Sequence, residues 1–287
     1  MANHTSVPGK IILSGEYAVV FGYPGIAMPS PIGIRATFEP SKQKGVELNW
    51  KDAPQEWQTY LETIVERCEK FCVKSGGKLS IMNQLPLGKG MGSSTALVIA
   101  VTRAFLGPNC RTQALAIEDA VNPGHSGVDF AVIWEGKPVL FRKGDAVQPI
   151  ALPEGLLGGA LLIDTGTPNE TTPELVAWIQ ERGQELTPFL RTIGECTERL
   201  QRFVTLNPVE VQQALPGILR DHHRAQTGLG VVPEAVQELI AGIERSGGAG
   251  KVLGAGARTG GGGMVLALGV EESAIRRFPF QILPLSL

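Results

Sequence analysis

Pro86-Leu87-Gly88-Lys89-Gly90-Met91-Gly92-Ser93-Ser94-Thr95-Ala96 opens an apolar run that continues to Leu106. Alternating glycines precede hydroxyl residues, and Thr95 to Leu106 reads as a buried helix. Glycine lets a backbone approach a ligand closely and aim successive N–H groups at it. A helix N-terminus adds unpaired donors and about half a positive charge. Together these suit a polyphosphate. Ser93 and Ser94 can donate to phosphate or offer oxygen to Mg²⁺, a hard ion. The bland alternative is a glycine turn with a serine N-cap. A Walker loop is excluded, because Gly248-Ala249-Gly250-Lys251-Val252 lacks the hydroxyl after lysine. Gly254-Ala255-Gly256-Ala257-Arg258-Thr259 likewise fails to complete a dinucleotide fingerprint.

Three further segments carry candidate chemistry. Upstream, Pro8-Gly9-Lys10 leads an apolar run, followed by Gly15-Glu16-Tyr17. A lysine fixed beside glycine can offset charge on a phosphate or a reacting oxygen, although such lysines are usually solvated. Downstream, Asp129 in Ser126-Gly127-Val128-Asp129 lies between a glycine and an apolar stretch. It suits a strained turn at a helix start or a simple N-cap. Glu118 taken by itself is a solvated helix charge. Gly254 to Gly263 holds six glycines in ten positions, which fits close packing beside a ligand, a flap or a hairpin tip.

The rest of the chain reads as mixed strand and helix. Residues 7–38 give strand, turn and strand, with Ala18-Val19-Val20-Phe21 resuming the first strand. Helical spacing runs from Trp57 to Val73, over Gln113 to Ala120, Val209 to Leu219 and Pro233 to Ser246. Pro173 to Leu206 holds one or two helices, with a break or kink expected at Leu186-Thr187-Pro188. Strands are expected at Lys78 to Leu85, Pro138 to Phe141, Leu156 to Asp164, either side of the Gly254 loop, and Phe280 to Leu285. Phe130 to Trp134 fits either type. Strand pairs with crossing helices indicate an α+β or two-layer α/β fold.

With 287 residues, the chain suits one large domain or two packed ones. A net charge of -2 gives no basic field for a nucleic acid. No apolar run reaches ~18 residues, so no membrane span is expected. The N-terminus lacks the pattern of a secretory signal. Cys68, Cys72, Cys110 and Cys196 have no zinc spacing and read as free thiols of a cytoplasmic protein. His222 and His223 lack a third metal ligand nearby in sequence.

Taken together, the segments resemble the GHMP kinase superfamily. Pro8 to Glu16, Pro86 to Ala96 and Lys251 to Gly256 resemble its three motifs, in order and over nearly the whole chain. Within it, Ser126-Gly127-Val128-Asp129 and Gly136-Lys137-Pro138-Val139-Leu140-Phe141 are most like the mevalonate kinases. The resemblance implies a ribosomal S5-like N-terminal domain over 1–150 and a ferredoxin-like C-terminal domain over 151–287. It also implies an ATP- and Mg²⁺-dependent kinase acting on the 5-hydroxyl of mevalonate or a related anionic alcohol, and a homodimer is compatible.

By the same resemblance, Asp129 and Lys10 are catalytic. Lys89, Gly90, Met91, Gly92, Ser93, Ser94 and Thr95 bind nucleotide. Ser94 and Glu118 hold the metal, Glu118 lying eleven residues before Asp129 as in that family. Glu16, Tyr17 and Gly256 are substrate-binding candidates, Glu16 being equally readable as structural. The departures are Tyr17 where mevalonate kinases have His, His125 for Pro, Leu253 for Thr, and the added Arg258-Thr259. Gly-Glu-Tyr-Ala-Val is closer to phosphomevalonate kinases, and an added His and Arg could serve an anionic substrate. A phosphomevalonate kinase or another small-alcohol kinase is thus the second reading. A catalytically silent nucleotide or metabolite sensor is the third, disfavoured by the intact Lys10, Ser94, Glu118 and Asp129.

Overall fold

The computed structural model describes residues 2–42, 44–72, 76–207 and 210–285. Its architecture is α+β, built on two sheets. The first contains β1 (Asn3–Ser14), β2 (Gly25–Ser41), β3 (Val46–Asn49), β4 (Gly76–Asn83), β5 (Val139–Phe141) and β6 (Gln148–Pro149). Its order is β3-β4-β2-β5-β6, with β1 also paired to β2. Only β3 and β4 run parallel. The long β1–β2 pair, from Asn3 opposite Phe38 to Ser14 opposite Ile26, carries Lys10 and Ser14 into the interior.

Four helices follow within this half: α1 (Gln55–Cys68), α2 (Ser93–Leu106), α3 (Arg111–Val121) and α4 (Val128–Glu135). Leu97 to Val101 of α2 are all fully buried. A helix apolar all round belongs inside a core, and α2 packs against β1, β2, α1, α3 and α4. The helix is therefore held on several sides.

The second sheet is antiparallel, in the order β10-β7-β9-β8. Its strands are β7 (Leu161–Asp164), β8 (Ala249–Val252), β9 (Met264–Leu268) and β10 (Gln281–Pro284). Its helices are α5 (Thr172–Glu181), α6 (Gly183–Leu206), α7 (Val211–Gly228), α8 (Glu234–Arg245) and α9 (Glu272–Ile275). Both α7 and α8 pack on β8. One apolar core runs through both sheets, joining Ile11, Leu97 and Val132 to Leu253, Met264 and Leu266.

Several local expectations are corrected. Ala18–Phe21 is a 3₁₀ turn rather than a resumed strand, closed by Val19 N–H to Gly15 and Tyr23 N–H to Ala18. Tyr17 at φ 63 and Gly22 at φ 87 bracket it, and neither conformation continues a strand. The strand expected from Leu156 begins only at Leu161, because left-handed Gly155 and Gly159 fold the preceding segment into turns. Pro188 lies inside α6, and the break falls at Arg182 instead. So near the helix start, Pro188 forfeits only the bond its missing N–H would give Gln184. The helix expected over 209–219 extends to Gly228 and places both histidines on α7. Val209, like Val73 at the end of the Trp57 helix, lies outside the described residues. Phe130 to Trp134 is helical, within α4. The four cysteines are unpaired.

Candidate active site

β1 and the central glycine loop are joined directly: the Lys10 N–H donates to the Met91 carbonyl at 2.9 Å. The Lys10 side chain is buried, and its Nζ lies 3.2 Å from Asp129 Oδ1. Asp129 sits in the first turn of α4, placed there by Gly127 at φ 89. Its side chain remains 33% exposed, so the carboxylate can be reached from solvent. Gly92 caps α2 at φ 74. A Cβ there would lie 2.9 Å from Lys10 Cγ and 3.5 Å from Asp129 Oδ2. Glycine loop, ammonium and carboxylate thus form one constellation around the start of α2. Gly92→Val adds branched bulk against Lys10 and strains a left-handed backbone. Calorimetry should show nucleotide affinity strongly reduced; unaltered binding would remove the loop from the nucleotide site.

The third glycine segment closes on the central loop from the other side. A Cβ on Gly90 would meet the Leu253 carbonyl oxygen at 2.2 Å, and one on Gly254 would meet Gly90 Cα at 2.7 Å. This is backbone-on-backbone packing that no side chain permits. Met264 N–H donates to the Lys89 carbonyl at 3.0 Å. Lys89 Nζ pairs with Asp164 Oδ2 at 2.6 Å, both side chains being largely buried. The Lys89 ammonium therefore ties the loop to β7. Asp164, the last residue of an evident apolar strand, was not a candidate in the sequence.

Loop hydroxyls divide their tasks. Ser93 Oγ accepts the Gly88 N–H at 3.1 Å and staples the loop to itself. Thr95 Oγ1 donates to Glu118 Oε1 at 2.6 Å in the interior. The side chains of Lys89, Ser93 and Thr95, expected at the nucleotide, are thus engaged within the protein. Ser94 is the half-buried hydroxyl of the group. Glu118 is buried, not solvated, and its Oε2 has no hydrogen-bond partner. Burial raises its pKa, against the hydrogen bond from Thr95. An unpartnered, buried carboxylate oxygen near a hydroxyl suits a divalent cation that takes its remaining ligands from phosphate and water. Among the described residues no three His, Cys, Asp or Glu side chains form a metal cluster.

Glu16, Tyr17 and Gly256, expected at the substrate, instead join the first and third motifs. Lys251 Nζ, fully buried, binds Glu16 Oε1 and the Ile12 carbonyl, the latter at 3.0 Å. His222 Nε2 on α7 lies 3.0 Å from Glu16 Oε2 and 3.3 Å from the Gly15 nitrogen. Burial raises the Glu16 pKa, but Lys251 and His222 outweigh it and bring it down to about 2. Burial and the Lys251 charge push His222 toward its neutral form. The Tyr17 hydroxyl donates to the Ala255 carbonyl at 2.5 Å. A Cβ on Gly256 would sit 2.2 Å from the Val231 carbonyl oxygen. The two residues considered for an anionic substrate are also engaged. His125 pairs with Asp119 at 2.7 Å, and the Arg258 guanidinium stacks on Trp178 at 4.6 Å.

The fold and this constellation define a class, an ATP-dependent kinase acting on an alcohol. Residues 59–132 match the family model described as GHMP kinases N terminal domain. Its curated relatives include the mevalonate kinase of Pyrococcus furiosus, 27% identical over 88% of this chain and 85% of that protein. Among solved structures, the mevalonate kinase of Methanococcus jannaschii superposes with a TM-score of 0.78 at 17% identity, covering 100% of this chain and 98% of that one. The mevalonate kinase of Staphylococcus aureus matches at 25% identity and a TM-score of 0.72, covering 99% of each chain. No helix of the described residues is long and apolar enough to cross a membrane.

Proposed function

We propose that this chain is a mevalonate kinase, moving the γ-phosphoryl group of ATP to the 5-hydroxyl of mevalonate. The observation that carries the reading is the Lys10–Asp129 pair set against Gly92 at the start of α2. The curated relatives that span most of the chain support the choice of acceptor. We also take the chain to divide near residue 150, with the site between the two parts.

In this mechanism the backbone of the central loop and the first turn of α2 bind the nucleotide phosphates. Asp129, reachable from solvent, accepts a hydrogen bond from the acceptor hydroxyl and aims its oxygen at the γ-phosphorus. The hydroxyl proton passes to Asp129 as the new P–O bond forms and the bond to the ADP oxygen breaks. Lys10 stands between Asp129 and the loop and offsets negative charge on both. Ser94 and Glu118 would hold Mg²⁺, which when bound neutralises charge on the β- and γ-oxygens. Ser94→Ala and Glu118→Gln are then expected to raise, at least several-fold, the Mg²⁺ concentration for half-maximal rate. An unchanged Mg²⁺ titration would exclude them from the metal shell.

An ADP-release assay with mevalonate, phosphomevalonate, galactose and homoserine tests the acceptor. Release with mevalonate at the highest kcat/KM supports the reading. Preference for phosphomevalonate would replace it with the second kinase, and ligand binding without ADP release would indicate a silent sensor.

A further inference from the structure

Residues 86–96 carry one lysine, Lys89, and the second sheet grips it at both its side chain and its backbone. Asp164 on β7 and Met264 on β9 stand opposite each other in the antiparallel register. The Asp164 carboxylate takes the Lys89 ammonium at 2.6 Å, and the Met264 N–H donates to the Lys89 carbonyl at 3.0 Å. Asp164 Oδ1 also accepts the Gly166 N–H at 3.0 Å, which fixes the orientation of the carboxylate. The corner holding these residues is itself cross-linked, with Gly263 N–H donating to the Gly166 carbonyl and Thr165 N–H to the Gly263 carbonyl. Gly263 lies so close to the loop that a Cβ there would sit 3.0 Å from the Lys89 carbonyl oxygen. One residue earlier such packing is lacking: a Cβ on Gly88 would meet nothing within 4 Å.

A lysine in a phosphate-binding loop ordinarily serves the phosphates as a point charge. Here its charge is already spoken for by a carboxylate on the other sheet. We propose that Asp164 is a positioning residue for nucleotide binding: it keeps the Lys89 ammonium off the phosphates and pins the loop backbone, whose amides do the binding. A hydrogen bond between charged groups is about twice as strong as one between neutral groups. Both side chains are largely buried, so salt screens the pair little. A loop already held in its binding shape loses less ordering entropy when the nucleotide arrives. Nucleotide affinity then depends on a strand residue 75 positions from the lysine it holds. The inference rests on the central loop binding the nucleotide phosphates.

Calorimetric titration of the full-length protein with ADP tests it, because the sign of one effect separates a tether from a phosphate ligand. Asp164→Asn frees the Lys89 ammonium, which would tighten ADP if that ammonium served the phosphates. As a tether, its loss is expected to weaken ADP by roughly 10-fold. The KM for ATP should rise in step while kcat at saturating ATP holds. Lys89→Met should weaken ADP to the same extent, and the double variant no more than either. Lys89→Arg, which keeps the charge pair, should restore the affinity. A second measurement stands even if Asp164→Asn fails to fold: the salt dependence of ADP binding should be the same in Lys89→Met as in the parent. Tighter or unaltered ADP binding in Asp164→Asn, additive losses in the double variant, or a shallower salt dependence in Lys89→Met would each overturn the role. If Gly92→Val leaves ADP binding unaltered, the loop assignment beneath the proposal fails instead.

Discussion

Asp129→Asn is expected to lower turnover by ~10²–10⁴-fold, the range for loss of a general base, while ADP still binds. Asparagine has nearly the same shape, so the first turn of α4 and the left-handed Gly127 before it are undisturbed. Its amide can still accept a hydrogen bond but cannot take the proton. The 3.2 Å contact to Lys10 loses its charge, leaving a buried ammonium beside the loop. Nucleotide phosphates would help to offset that ammonium, so ADP affinity should hold or rise. Steady-state kinetics combined with ADP calorimetry separates the two quantities. Near-normal turnover would reject Asp129 as the proton acceptor. Loss of ADP binding would show that the substitution had disturbed the loop instead.

Lys251→Met is expected to destabilise the protein by ~3–5 kcal/mol, the usual cost of removing one partner from a buried ion pair. Methionine fills much of the same volume, but Glu16 keeps a carboxylate in the core with only His222 beside it. The effect should depend on pH with a definite sign. In the parent, the Glu16 pKa of about 2 lies below its ordinary 4.5. Its stabilisation is therefore complete above about pH 4.5 and is lost as pH falls toward 2. In the variant the burial cost is no longer opposed by Lys251, so the folded-state pKa moves up. Stability then falls as pH rises, and the gap between the proteins should be widest near neutrality and narrow in acid. Proton uptake by His222 in the variant acts in the same direction. His223, brought down to about 4 mainly by burial, adds an acid loss common to both, beginning near its ordinary 6.5. Urea unfolding at pH 4 and pH 7 checks this. A gap independent of pH would show that Glu16 and Lys251 contribute packing rather than a charge pair.

What could be read in the sequence was backbone geometry and pattern. Gly88-Lys89-Gly90-Met91-Gly92 followed by an apolar helix indicates an N-terminal anion site, and Gly127 before Asp129 indicates a turn into a helix. Each depends on neighbours in sequence. Long-range partners left no such mark. Nothing local ties Lys251 to Glu16, more than two hundred positions away, or Lys89 to Asp164. Their pairing follows from β8 and β7 meeting the first sheet's β1 and central loop in three dimensions. Glu118 looked like a solvated charge because, taken by itself, an acidic residue next to Asp119 on a short helix is ordinarily exposed. Its burial depends on α2 and α1 closing over it. Tyr17 read as part of an interruption in the first strand, but its positive φ cannot be inferred from a bulky residue's preferences. Pro188 read as a break or kink, yet it is accommodated inside the long helix α6.

Transfer can be followed at the acceptor oxygen itself. The protein would be supplied with Mg²⁺·ATP and mevalonate carrying ¹⁸O in the 5-hydroxyl, with the product read by ³¹P nuclear magnetic resonance. If Asp129 aims that hydroxyl at the γ-phosphorus, the monoester signal appears with the isotope shift of one ¹⁸O bridging phosphorus and carbon. Inorganic phosphate alone, or a monoester without the shift, would mean that the 5-hydroxyl is not the nucleophile.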